Sequence, residues 1–508
     1  MFRASNRVLL RKLCENSIFH KRWIAVWAPC NQPQKVVPGY SSLWFKGSYA
    51  NQFPPLVNSL PGIRLPPCLP HYLERFPTRI TKLSNGLKIA SEDSPGPAAC
   101  VGLFVDSGSI YEGEKSQGVT HLLERMSFKS TKNRNHCRIM HDIEATGANV
   151  GASASREQMA YSYDTIKTFL PEAVELLVDC IRNPLFLDSE LKEQVAKGKA
   201  EIEAMSSNPQ QFLLESLHLT GYSGALANPL MSPELVFKET DRSAIQKFYY
   251  ENYTAERMVL AAYGVDHEQL LAIAEPLLND LRSGYPKVVP KTDYVGGDFR
   301  HRVNSEKTHV SLAFEVPGGW HQDKDATALT VLQALMGGGG SFSSGGPGKG
   351  MHSRLYLRVL NKYPEVETFS AFSSVYNDSG LFGIHLTTES DFVEKAVEVA
   401  IDELIAVATP GQVTELELQR AKNSIKSAIL INLESRTIVT EDIGRQILTY
   451  GCRKPVEHFL IAVDELTLSD LGRLVHKILS SPLTMGSWGD VDRVPSYASV
   501  SKHFHAAN

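Results

Sequence analysis

Acidic residues are almost missing from the first 72 positions of this 508-residue chain, where Glu15 stands against Arg3, Arg7, Arg11, Lys12, Lys21, Arg22, Lys35, Lys46 and Arg64. Long apolar runs are missing throughout, and a membrane-spanning helix needs about 18 such residues. Cysteines are few and unpaired in pattern: the seven, at 14, 30, 68, 100, 137, 180 and 452, form neither C-x-x-C pairs nor a framework. That spacing excludes a cysteine-built zinc site and fits a reducing compartment. A basic surplus is missing too, since 52 Lys and Arg face 56 Asp and Glu for a net charge of −4, which argues against a nucleic acid as partner. What is present is globular: 43% hydrophobic and 21% charged residues supply a sizeable core, and the length fits two large domains or three of about 150 residues.

The acid-poor start has a pattern of its own. Arg3, Arg7 and Arg11 recur every four residues and so share one side of a helix, with Phe2, Val8, Leu9 and Leu13 supplying apolar surface. A basic, amphipathic, acid-poor segment of this kind reads as a mitochondrial transit peptide over residues 1–35, since Arg11 and Lys12 interrupt any secretory apolar region. Prolines at 54, 55, 61, 66, 67 and 70 then forbid helix, and residues 36–77 are expected to form an extended arm.

From about Thr78 the periodicity becomes regular. Strands are expected on both sides of the Ser84-Asn85-Gly86 turn and over Ala98–Gly108, then a helix over Gln117–Lys129, two strands over Gly151–Ser155 and Gln158–Asp164, and helices over Phe169–Ile181 and Glu190–Met205. After a hydrophilic break at Leu281–Thr292 the same order returns: strand Thr308–Val316, helix Asp323–Met336, strands within Thr368–Thr387, helices Phe392–Val407 and Val413–Ile431. Pro171–Asp179 aligns with Glu394–Asp402 at an offset of 223, and Ser189–Lys197 with Thr414–Lys422 at 225. Near-constant offsets point to an internal duplication. The expected fold is α+β or α/β, with two homologous domains at 78–282 and 296–508, a linker at 283–295, and in each a mixed sheet packed with helices about a pseudo-two-fold axis.

The first predicted helix carries His121-Leu-Leu-Glu124-Arg125. A histidine at each end of H-x-x-E-H would aim two imidazoles at one zinc ion, with the glutamate on a catalytic water. Here the fifth position is arginine, whose guanidinium stays protonated and offers no lone pair. A carboxylate from a distant helix completes such sites, and Glu201 is the candidate. These residues resemble the pitrilysin family of inverted-motif zinc peptidases, and within it the alpha-subunit branch of the mitochondrial processing peptidases, whose motif is degenerate. The resemblance covers about residue 78 to the C-terminus. It implies that His121 matches the first zinc ligand, Glu124 the general base and Glu201 the distal ligand, while Arg125 departs from the second ligand. The four are then a remnant: no residue of this chain is catalytic and none holds a metal. Asp323–Met336 offers only apolar residues at the equivalent turn, so the second half does not compensate.

Residues 337–350 read GGGGSFSSGGPGKG, eight glycines in 14 positions. Such a stretch is expected to be neither helix nor strand, because ordering glycine costs the most backbone entropy. It is not a phosphate-binding P-loop, since Lys349 is followed by Gly350 and the first glycine position of that motif holds Ser343. The resemblance assigns it to substrate recognition, through Gly337, Gly338, Gly339, Gly340, Ser341, Phe342, Gly345, Gly346, Gly348, Lys349 and Gly350. It further implies a noncatalytic subunit that binds presequences of imported precursors, in a heterodimer with a zinc-bearing catalytic beta subunit, in the mitochondrial matrix or associated with the inner membrane. A structural core subunit of respiratory complex III is the second reading. The third, an autonomous zinc endopeptidase, has Arg125 against it.

Overall fold

The computed structural model describes residues 76–113, 115–231, 242–284, 289–340 and 350–505. The transit-type segment, nearly all of the proline-rich arm, and residues 341–349 of the glycine stretch lie outside the described residues.

Among the described residues there are fourteen strands in chain order: β1 Arg79–Lys82, β2 Lys88–Glu92, β3 Ala98–Val105, β4 Asn149–Ala154, β5 Met159–Ile166, β6 Tyr222–Gly224, β7 Met258–Tyr263, β8 Thr292–Tyr294, β9 Gly297–Arg302, β10 Lys307–Glu315, β11 Gly338–Gly340, β12 Val366–Val375, β13 Gly380–Glu389 and β14 Thr484–Gly489. The described helices that matter here are α1 Val119–Arg125, α2 His136–Thr146, α3 Leu170–Arg182, α4 Asp188–Ser206, α5 Pro209–Gly221, α6 Arg242–Asn252, α7 His267–Leu278, α8 Asp323–Met336, α9 Val393–Ala408, α10 Glu415–Asn432, α11 Arg436–Tyr450, α12 Val456–Glu465 and α13 Leu468–Leu479.

The first sheet runs β1-β2-β7-β3-β5-β4 and the second β11-β12-β13-β10-β14-β9. Stripped of β1 and β11, the two orders are the same, β2-β7-β3-β5-β4 against β9-β14-β10-β13-β12. Each sheet pairs an early strand in parallel with a late one, β2 with β7 and β9 with β14, and is otherwise antiparallel. The repeat seen as matching helices is thus a repeat of two mixed sheets.

The halves also exchange a helix. Thr440 of α11 bonds to the Cys100 carbonyl of β3, and Val439, Ile443 and Ile447 pack on Phe104, Val259 and Ala261 of the first sheet. A Cβ added to Gly444 would lie 2.1 Å from the Phe104 ring, so glycine is what lets this helix reach the sheet. In return α5 lies on the second sheet, where the space above Gly486 is filled by Leu213 and Leu217 and Phe212 meets Phe299.

Three expectations need correction. The first-half helix is Val119–Arg125, shorter than Gln117–Lys129. Gly118 stands at φ 77° and the Glu112 carboxylate takes the N–H groups of Gly118 and Thr120, which fixes the start; Phe128 at φ 56° turns the chain away beyond the end. The expected linker is partly strand, because Thr292–Tyr294 pairs with β6, Tyr294 opposite Tyr222. The glycine stretch is partly strand as well: Gly338–Gly340 is β11, paired with Thr368–Ser370 of β12. Glycine is required there because a Cβ on Gly338, at φ 95°, would sit 2.0 Å from the Phe369 carbonyl oxygen.

Candidate functional site

Helix α1 buries Val119, Thr120, Leu122 and Leu123 and turns its remaining face toward α4. His121, Glu124 and Arg125 emerge there, one helical turn apart. On α4, Gln194, Gly198 and Glu201 recur at helical spacing, with Gln194 and Gly198 buried, so Glu201 is delivered to the same place. All four motif residues line one cavity of about 360 Å³, closed on another side by Val150, Gly151 and Ala152 of β4.

Within it, Glu201 is the hub. Its Oε2 lies 3.5 Å from His121 Nε2, and the same oxygen is engaged by the Arg125 guanidinium. The structure therefore brings the expected first and distal ligands together and sets a cation at the position of the second. Burial holds the His121 pKa below its usual value, although Glu201 pulls it up. Burial raises the Glu124 pKa, helped by Glu201, while a hydrogen bond from the Ala154 backbone opposes it.

These residues do not fit zinc. A three-ligand site is the minimum for a catalytic ion; Arg125 has no lone pair to give, and its charge is already neutralised by the carboxylate that the metal would need. Among the described residues there is no group of three or more His, Cys, Asp or Glu able to hold a metal. In the second half the equivalent helix α8 buries Ala328, Leu329, Val331, Leu332, Leu335 and Met336 and carries no ligand on those positions.

Of the predicted substrate-binding residues, Gly337, Gly338, Gly339, Gly340 and Gly350 are described. Ser353 ties the two ends of the stretch together: its hydroxyl accepts the Gly338 N–H at 3.0 Å and its own N–H bonds to the Gly350 carbonyl at 2.8 Å. Ser341, Phe342, Gly345, Gly346, Gly348 and Lys349 lie outside the described residues. Just after the stretch, the fully buried Arg354 bonds Glu403 at 2.8 Å and the Gln412 carbonyl at 2.9 Å. Neither Arg354 nor the helix-capping Glu112 stood out in the sequence, because the partners of each are fixed by folding.

Residues 88–234 match the model of insulinase, peptidase family M16, and residues 240–425 that of the peptidase M16 inactive domain. The chain is 58% identical to the mitochondrial-processing peptidase subunit alpha of Solanum tuberosum, over 91% of this chain and 92% of that one. It is 55% identical to the probable mitochondrial-processing peptidase subunit alpha-2 of Arabidopsis thaliana, over 91% and 93%. To the alpha subunit of Homo sapiens it is 30% identical, over 93% of each. Its fold is similar to that of a chain in a structure of complex III2 from Candida albicans, Inz-5 bound, with a TM-score of 0.73 at 20% identity, covering 84% of this chain and 99% of that one. With both halves matched by the family's models and its relatives matched along nearly their whole length, the chain belongs to peptidase family M16.

Proposed function

We propose that this chain is the noncatalytic, substrate-binding subunit of a mitochondrial processing peptidase, working with a zinc-bearing beta subunit that cuts. The observation that carries the reading is the Arg125–Glu201 ion pair at the position of the second zinc ligand. A helix that neutralises its own distal carboxylate with a guanidinium has no chemistry for water activation. What remains for the chain is binding. The names of its relatives support the mitochondrial location and a partner subunit, and the basic, acid-poor first 72 residues agree with import.

In this account residues 341–349 meet the presequence, and the described residues on either side are tied to the fold. Strand β11 fixes one end on β12, Ser353 fixes the other, and Arg354 anchors the chain beneath. Because Gly338–Gly340 belong to the sheet and Gly337 caps α8, the segment to remove is 341–349 alone. Its deletion should weaken binding of a labelled presequence peptide to the assembled complex at least tenfold, with assembly and partner zinc content unchanged. Unchanged affinity would remove the role assigned to it. The complex III reading rests on likeness of fold, and fractionation of the native protein between matrix and inner membrane separates the two.

A further inference from the structure

The hairpin tips β4–β5 and β12–β13 are equivalent in the two halves, and they meet. Glu157, in the first tip, accepts the backbone N–H of Asn377, in the second, at 2.9 and 3.2 Å. Beside this contact, α10, α11 and α12 enclose a cavity of about 440 Å³, larger than the one at the zinc-motif remnant and separate from it. Its walls are largely apolar and aromatic, with Trp320, Leu433, Tyr450, Val456 and Phe459 among them.

The polar groups of the cavity are unequal in what they have left to give. Its cations each have a carboxylate beside them: Lys454 pairs with Asp323 and lies 3.7 Å over the Tyr450 ring, and Arg445 lies 2.7 Å from Glu441. Asp442 is taken by Arg453 and Gln446. On the hairpin-tip wall the unmet groups are acceptors. Gln158, 7% exposed, has its Oε1 without a hydrogen-bond partner among the described residues, and so does the buried Oδ1 of Asn377. Glu157 has only the Asn377 N–H and no ion-pair partner among the described residues. An anion would meet acceptors along the hairpin-tip wall, and a hydrocarbon would leave them unmet. A donor-rich cation on an apolar stem satisfies them and can stack on the aromatic walls.

We propose that this cavity is a binding pocket for the guanidinium or ammonium end of an arginine- or lysine-type side chain, with Glu157, Gln158 and Asn377 as its acceptors. That the bearer is a basic peptide rests on the substrate-capture reading; the preference for a cation rests on the cavity alone. Burial holds the Glu157 carboxyl up at about 7, with Asp106 and Asp378 adding and His321 opposing, so the incoming cation displaces a proton. The cationic Lys454 and Arg445 and the anionic Asp442 on the opposite wall keep their own partners.

The test titrates the full chain with n-butylguanidinium and with its neutral isostere n-butylurea, by calorimetry near pH 7 in two buffers of different ionisation enthalpy. Butylguanidinium should bind with proton release, butylurea should bind at least tenfold more weakly, and Glu157→Gln should lose the difference. Thr449→Phe, which fills the cavity from α11 and gives up the Gln158 Nε2 contact while leaving the Glu157 carboxylate in place, should abolish binding even if Glu157→Gln folds poorly. Equal binding of the two probes, or a guanidinium affinity unchanged in both variants, overturns the pocket. A basic presequence peptide should then displace butylguanidinium. If it binds the chain without displacing the probe, the peptide bearer is overturned while the cation pocket stands; if the peptide binds and butylguanidinium does not, substrate capture survives and the pocket fails.

Discussion

The two halves share a five-strand order but treat one helix and one edge in opposite ways. After β3 the first half places a seven-residue helix, α1, whose polar face opens on a cavity; after β10 the second half places fourteen residues, α8, buried against α10, α12 and α13. The edge strand β4 lines that first cavity, whereas its equivalent β12 is covered by the glycine strand β11. One arginine–glutamate pair from each half makes the contrast plain. Arg354 in the second half is wholly buried with Glu403, while Arg125 in the first meets a Glu201 whose side chain is 48% exposed. The second half's pair is closed inside the framework, and the first half's lines an open cavity.

The sharpest break of that comparison is Arg354→Met. It strands Glu403 in the core with only the half-exposed Arg358 as partner, and breaking a buried pair costs about 3–5 kcal/mol. Urea unfolding should show it; a loss below about 1 kcal/mol would mean the pair is not framework.

Next comes pH, on which the second-sheet histidines His309 and His385 and the first-half Glu112 should respond with opposite sign. Burial in the second sheet holds His309 down to about 4 and His385 to about 3. Both are neutral when folded and near 6.5 when unfolded, so their contribution is complete above about pH 6.5, shrinks as pH falls and is gone near 3. In the first half, burial holds Glu112 up at about 7, so its contribution is complete below about 4.5 and is lost as pH rises through 7. Between pH 7 and 5 the histidines should remove on the order of 2–4 kcal/mol from the second half, and His309→Gln with His385→Gln should flatten that slope. Hydrogen exchange resolved by strand checks it: faster exchange in β10 and β13 on acidification, and in α1 on alkalinisation.

Gly338→Ala should cost about 1–3 kcal/mol, through its positive φ and the Phe369 carbonyl, whereas Gly339→Ala meets nothing within 4 Å and should lose only what its φ of 149° demands. Equal effects would mean β11 is not held as a strand. Arg125→Ala should be the mildest, about 1 kcal/mol or less, because water screens the exposed side of Glu201.

Much of this was legible in the sequence. Offsets of 223 and 225 between helix blocks gave the repeat, and α8 was placed to the residue because an apolar run begins on Asp323 and ends against glycine. His121, Glu124, Arg125 and Glu201 could be joined across 80 positions because helix spacing and ligand chemistry restrict the choices. The helix exchange was not legible: α5 and α11 carry apolar faces, and nothing local says which sheet they cover. Nor was β11, since glycine pairing depends on what Phe369 presents across the gap. The Glu157 cavity needed two hairpin tips more than 200 residues apart to meet.

The central claim is that Arg125, by holding Glu201, replaces the metal. Zinc titration of the isolated full chain and of Arg125→His, followed by calorimetry and metal analysis, tests it most directly. The account predicts no stoichiometric zinc on the native chain and one zinc on Arg125→His, bound through His121, His at position 125 and Glu201 and lost on adding His121→Ala. One tightly bound zinc on the native chain, released by His121→Ala, would contradict it.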